Sequence, residues 1–340
     1  MRQAAVLGVE YFLPELVESS AQLAAQFEGW SVEKIQGKTG IAERHIAGPN
    51  ECSSDLGFAA AQRLFESGRC HPEDIDYLLF CTQSPDYFLP TTACVLQHRL
   101  GLPTAAGALD FNLGCSGFVY GLGLAQGLIA TGQASNVLLI TAETYSKFIH
   151  PRDRSVRTIF GDAAAATLVG AVDDAGGPYV GPFVLGTDGS GAKNLIVETG
   201  ALRSPRSPES GQAVEDSGGN WRSKDNLFMN GGEIFNFTLR AVPECVNRLL
   251  EKAGISLREV DRFVFHQANE FMLEHLRKRL GIPKERFVIA LSHCGNTVSS
   301  TIPIALKDAL DRGDLRSGQL AMLVGFGVGY SWGATLIRWL

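Results

Sequence analysis

The chain has 340 residues, 45% of them hydrophobic and 19% charged, with a formal net charge of −6. That length suggests roughly two domains of about 150 residues around a substantial core, and the composition is too apolar for a disordered chain. An acidic balance without a basic block argues against nucleic acid as a partner, and no stretch approaches the roughly 18 uninterrupted apolar residues of a membrane span.

The first residues move directly into a short strand pattern and then Pro14, without the apolar core and small-residue cleavage site of a signal peptide. Seven cysteines, odd in number and without paired spacing, suit reduced thiols, so a cytoplasmic protein is expected. Residues 76–81 and 136–141 are short apolar runs bounded by polar or turn residues, which predicts buried parallel strands. Helices are predicted over 91–100 and 116–130. A strand over 164–170 leads to the turn 173–178, the candidate boundary between halves 1–173 and 174–340. Residues 204–224, rich in Ser, Pro, Gly and charge, are expected to form a surface loop. The second half repeats the style. Helices are expected over 233–253, 270–280 and 301–312, and strands over 263–265, 287–290, 321–324 and 334–337. The alternation argues for two α/β halves and suggests a duplication.

Cys115 stands where a strand-like segment ends and a glycine-dotted helix begins, in Asn112-Leu113-Gly114-Cys115-Ser116-Gly117. A thiol there meets backbone N–H groups and the positive end of the helix dipole, which favour its thiolate. Most cytosolic cysteines are buried structural residues, and Cys52, Cys70, Cys81, Cys94 and Cys245 are read that way. The helix carries Gly117, Gly121, Gly123 and Gly127, each costing about 1 kcal/mol against Ala, so close packing of a buried central helix is expected. His266 follows a predicted strand. Asn296 lies in Cys294-Gly295-Asn296-Thr297, where a turn or a helix cap would also explain it. All three groups are placed at the carboxyl ends of predicted strands, where open α/β sheets hold their sites. The loop Gly325-Phe326-Gly327-Val328-Gly329 reads as a hairpin whose exposed N–H, assigned to Val328, joins that of Cys115 as an oxyanion hole. It opens no helix, which argues against a dinucleotide or phosphate loop. No CxxC or HExxH spacing occurs, so no metal is expected.

Nearly end to end, the chain resembles the β-ketoacyl-ACP synthase III group of the thiolase-fold condensing enzymes. The resemblance rests on Thr39-Gly40-Ile41-Ala42-Glu43-Arg44-His45-Ile46, the Cys115 segment, Ile159-Phe160-Gly161-Asp162, His266-Gln267-Ala268-Asn269, Gly295-Asn296-Thr297 and Gly329-Tyr330-Ser331-Trp332-Gly333. It implies a five-layered αβαβα fold built from two duplicated α/β halves, a homodimer, and a catalytic triad of Cys115, His266 and Asn296. An acyl thioester would acylate Cys115. Decarboxylative condensation with malonyl-ACP or malonyl-CoA would then give a 3-oxoacyl thioester, with His266 and Asn296 donating to the enolate oxygen. Acyl-CoA and acyl carrier protein enter as substrates and partners, and no resident cofactor is expected.

The resemblance also implies substrate contacts at Lys38, Leu89, Arg154, Phe235, Asn269 and Phe326, and carrier docking at Arg277, Lys278 and Arg279. Several positions depart from familiar members. Lys34 stands where a tryptophan stacks on adenine, with Trp30 one helical turn earlier; Lys38 replaces an arginine; Phe271 replaces a docking arginine. Leu89 matches the residue that reaches the partner's acyl pocket, where relatives that join two fatty acyl chains carry a glutamate base. A papain-like Cys-His-Asn hydrolase is disfavoured because the Cys-Gly-Ser-Cys-Trp signature is absent. A non-catalytic subunit is disfavoured by the intact triad. An acyltransferase on the same fold, passing the acyl group to a hydroxyl or amine, stays open.

Overall fold

A computed structural model describes residues 2–173 and 179–340. Its first sheet has the spatial order Gln3–Phe12, Ala163–Val172, Asn136–Glu143, Tyr77–Cys81 and Gly107–Phe111. The first two junctions are antiparallel and the last two parallel. The second sheet repeats this sequence of pairings with Val180–Thr187, Ser331–Arg338, Leu320–Gly327 and Arg262–Phe265. At the place of the fifth strand, Phe287 makes only an isolated parallel bridge to Phe263. The strand expected over 287–290 is therefore a single contact. The duplication is visible in the pairing itself.

Two helices, Gly117–Ala130 and Thr301–Asp311, fill the space between the sheets. Gly117–Ala130 is uncharged throughout, whereas Thr301–Asp311 turns Lys307, Asp308 and Asp311 away from the core. Phe118, Leu122, Ile129, Ile302 and Leu306 sit in one core with Leu139 of the first sheet and Leu323 of the second. Ser53–Glu66 and Thr92–Arg99 cover the outer face of the first sheet, and Gly231–Ala253 and Glu270–Leu280 that of the second. The result is five layers, αβαβα. The central-helix glycines are partly explained. A Cβ on Gly117 would lie 2.3 Å from Cys81 Sγ and one on Gly121 2.6 Å from Leu139, whereas Gly127 faces open space.

The helix Ser53–Glu66 and the strand Val180–Thr187 have no counterpart in the sequence reading. The turn 173–178 lies, apart from Asp173, outside the described residues. Residues 204–224 run largely as a loop, with a ribbon pairing Val214–Glu215 to Trp221–Arg222. Arg222 ties it down through Asp153 at 2.6 Å and Asp216 at 2.8 Å.

Candidate active site

The strand Gly107–Phe111 ends four residues before Cys115, and the helix Gly117–Ala130 starts two residues after it, with the Ser116 hydroxyl between them paired to Ser331 rather than to the helix. The hairpin of the second sheet closes over the thiol. A Cβ on Gly327 would lie 2.9 Å from both Cβ and Sγ of Cys115, so that position accepts only glycine without displacing the sulfur. Burial pushes the thiol up to about 12 and the nearby Glu143 adds to this, while the backbone N–H groups of Cys115 and Val328 pull the other way. The expectation of a thiolate held by the helix terminus is thus corrected. The N–H groups are in place, but desolvation outweighs them and the resting group is a thiol.

His266 follows the strand Arg262–Phe265 and is buried, with the ring of Phe326 edge-on at 5.4 Å. Burial lowers its pKa to about 3, so the imidazole is neutral at physiological pH. Nδ1 lies 2.7 Å from Thr301 Oγ1. That hydroxyl donates to Val298 O at 3.1 Å, and Nε2 carries the ring proton as a donor when the hydroxyl turns to Nδ1 instead. Asn296 does not follow a strand, contrary to the sequence reading. It is clamped to the first half instead, its N–H donating to Ile159 O at 2.9 Å and its carbonyl accepting from Gly161 N–H at 3.0 Å. Gly161 is required there, since a Cβ would lie 2.5 Å from the Cys294 carbonyl oxygen. The Asn296 Oδ1 accepts from Val298 N–H at 2.9 Å, and the amide NH₂ reaches Ala268 O with one hydrogen at 3.5 Å, which leaves its second hydrogen for a ligand. Val298 is β-branched yet has φ 56°, a strain of about 1–3 kcal/mol of the kind found at functional sites. Cys115, His266 and Asn296 line one cavity of about 290 Å³, with Asn269, Met272 and Phe326 among its walls.

The other expected residues fall in different places. Lys38 and Arg154 converge on the Trp30 ring, 5.8 and 6.0 Å from its centroid, with Lys34 at 5.0 Å. Asn269 reaches the cavity wall, but its side chain also caps the helix Glu270–Leu280, accepting from Met272 N–H at 2.8 Å. Phe235 is stacked 5.8 Å from Phe271, which is 54% exposed. Val328 and Leu195 border a second cavity of about 220 Å³ beyond the thiol. Leu89 is 82% exposed, beside Phe88 at 80%, and borders neither cavity. Arg277 forks onto Glu274 and donates to Ile282 O, whereas Lys278 and Arg279 face solvent.

Several neighbours carried no sequence signal. Glu143 is wholly buried, accepting from Ser299 Oγ at 2.8 Å, Gln83 N–H at 3.0 Å and Ser84 Oγ at 3.3 Å. Burial pushes its carboxyl up to about 8 against the pull of those hydrogen bonds. Thr301 and Val298, which contact the side chains of His266 and Asn296, are ordinary residues of a turn and a helix start. Gln83 had a usable signal, since it lies just past the carboxyl end of Tyr77–Cys81.

A family model described as 3-oxoacyl-[acyl-carrier-protein (ACP)] synthase III matches residues 109–189, and the model of its C-terminal part matches residues 250–339. The chain is 38% identical over 336 residues to the beta-ketoacyl-[acyl-carrier-protein] synthase III of Caldanaerobacter subterraneus subsp. tengcongensis, covering 99% of this chain and 98% of that one. A crystal structure of a 3-oxoacyl-(acyl-carrier-protein) synthase III matches with a TM-score of 0.98 and 52% identity, covering 99% of this chain and 100% of the other. A 3-oxoacyl-(acyl-carrier protein) synthase from Burkholderia xenovorans matches with a TM-score of 0.90 and 38% identity, covering 100% and 95% respectively.

Proposed function

The chain belongs to the 3-oxoacyl-[acyl-carrier-protein] synthase III family, and from that membership we propose that Cys115, His266 and Asn296 divide the two half-reactions of this enzyme between them. The enzyme is an acyltransferase that loads an acyl group from a thioester onto a cysteine and condenses it with a malonyl thioester, releasing carbon dioxide. The observation that supports the residue assignment is the shared cavity of Cys115, His266 and Asn296, with the N–H groups of Cys115 and Val328 beside the sulfur.

In the first half-reaction Cys115 attacks the acyl thioester, and its proton leaves with the departing thiol. The two N–H groups hold the tetrahedral oxyanion. In the second, the malonyl carboxylate departs as carbon dioxide and the electron pair moves to the thioester oxygen. His266 Nε2–H, with the Thr301 hydroxyl turned to Nδ1, and Asn296 Nδ2–H serve as neutral donors to that charge. A buried imidazolium is excluded by the depressed pKa. The carbanion attacks the acyl-Cys115 carbonyl, collapse expels the Cys115 thiolate and frees the 3-oxoacyl thioester, and a proton from water restores the thiol.

Trp30 with Lys34, Lys38 and Arg154 offers a ring and cations to the nucleotide end of acyl-CoA, so Trp30 takes over the stacking role that Lys34 cannot fill. Lys278 and Arg279 are the free cations for an acidic acyl carrier protein, with Arg277 bracing the helix end. A second copy covers the exposed Tyr87, Phe88 and Leu89 and the edge strand Gly107–Phe111 with its exposed Leu109, unpaired apolar and backbone surface that a monomer rarely leaves open. The two halves divide near residues 173 and 174, and the thioesters are substrates that leave no need for a resident cofactor. Among the described residues no helix is long and apolar enough to cross a membrane.

The test is intact-protein mass after incubation with a panel of acyl-CoA and acyl-ACP donors, followed by malonyl-ACP. Cys115 carries the adduct, Cys115→Ser carries none, and malonyl-ACP discharges it as a 3-oxoacyl thioester. An adduct mapping to Cys94 or Cys294 refutes the assignment. Discharge only by an alcohol or amine would establish the alternative transferase, which the family match does not favour.

A further inference from the structure

The second cavity has two unlike walls. One is apolar, with Phe148, Leu195, Ile196, Val197, Leu227 and Val328; the other is formed by Gln83, Asn112 and Tyr145. It shares Val328, whose N–H meets the Cys115 sulfur, and is read as the acyl chamber. A Cβ on Gly114, the residue before the nucleophile, would lie 2.5 Å from Gln83 Oε1 and 2.7 Å from Val328 Cγ1, so the Gln83 carboxamide and the Val328 side chain meet directly behind the thiol. An alkyl chain would be served by apolar residues alone. A carboxamide placed there loses hydration when an alkyl group fills the chamber, and regains a partner only from a polar one.

Gln83 is also held in place. Its backbone N–H donates to the buried Glu143 at 3.0 Å, and its Oε1 accepts from Tyr145 O–H at 2.9 Å. Tyr145 is itself buried, with Phe148 and Phe160 packed on its ring at 5.8 and 5.2 Å, so its hydroxyl direction is set by packing. With Oε1 occupied, the end of Gln83 left for a ligand is the NH₂, which has no acceptor among the described residues. A pre-oriented N–H donor opposite the apolar wall of the chamber recognises an oxygen atom on the bound chain. We propose that the acyl chamber selects primers bearing a hydroxy or oxo substituent, with Gln83 Nε2 as the donor and Tyr145 as the residue that positions it. This rests on the reading of Cys115 as the acyl acceptor.

The experiment measures acyl-enzyme formation by intact mass with butyryl-CoA against 3-hydroxybutyryl-CoA and 4-hydroxybutyryl-CoA, in the wild-type protein, Gln83→Leu and Tyr145→Phe. One neutral hydrogen bond gained against one buried donor left unpaired is worth about a tenfold preference for an oxygenated donor. Gln83→Leu reverses that preference. Tyr145→Phe narrows it, because the amide is then free to turn. Alkylation of Cys115 by iodoacetamide in each variant shows that the site is still assembled, so a lost preference is separable from a lost fold. Equal loading of butyryl and both hydroxybutyryl groups by the wild type, or an unchanged ratio in Gln83→Leu, overturns the selection while leaving the nucleophile assignment standing. Absence of any Cys115 adduct from every donor overturns both.

Discussion

Replacing Glu143 by Gln should remove a specific pH dependence from stability. The carboxyl is wholly buried, and the titratable groups that sense it, Cys81, Cys115, Tyr145 and Asp162, are all acids. Burial raises its pKa from 4.5 to about 8. At about 1.4 kcal/mol per unit, ionising it in the fold costs on the order of 4–5 kcal/mol relative to the unfolded chain. For a raised pKa the folded state binds the extra proton, so the stabilisation is present below pH 4.5 and is lost as pH rises through about 8. His266 works in the opposite sense. Its pKa falls from 6.5 to about 3, so it removes stability as pH drops below 6.5 and is silent above that. Between pH 6.5 and 8 the Glu143 contribution is therefore uncovered, and the wild type should lose about 1.5–2 kcal/mol across that window. Glu143→Gln, isosteric with the protonated acid, should be flatter by that amount. Urea unfolding at half-unit pH steps reads it directly, since midpoint times slope gives the free energy. Parallel wild-type and variant profiles would show that Glu143 is ionised in the fold throughout, and the burial argument would fail.

Two substitutions in the triad test the division of labour. His266→Ala and Asn296→Ala should still load an acyl group on Cys115 by mass, yet lose malonyl decarboxylation, followed as carbon dioxide release, by at least about a hundredfold, because each removes one oxyanion donor. Failure of loading with decarboxylation intact would reverse the roles. At the expected interface, Leu89→Phe should shift chain-length preference toward shorter primers. Each buried CH₂ is worth about 0.8 kcal/mol, roughly fourfold in affinity. An unchanged profile across the donor panel, with Cys115 alkylation intact, would place Leu89 away from the partner's chamber.

Local patterns identified much of this protein. Continuous apolar runs such as Leu78-Leu79-Phe80 marked the buried parallel strands, because a strand covered on both faces needs no alternation. The position of Cys115 between a strand and a helix, and of His266 after Phe263-Val264-Phe265, marked two members of the site for the same reason: chain direction and strand ends are local properties. The third strand-end assignment failed because Phe287 to Ala290 has strand composition but only one pairing partner, and sheet membership is decided by the neighbour. The alanines of Ala163–Val172 likewise have little strand preference of their own; their small side chains let Ser53–Glu66 lie against that strand, in the same core. What tertiary structure alone decided was the electrostatics. Nothing around Cys115 in the chain reveals that burial, with Glu143 adding to it, holds its thiol protonated, or that Thr301 meets the His266 ring. Those effects depend on desolvation and on contacts across tens of residues, and both arise only once the two sheets close around the central helices.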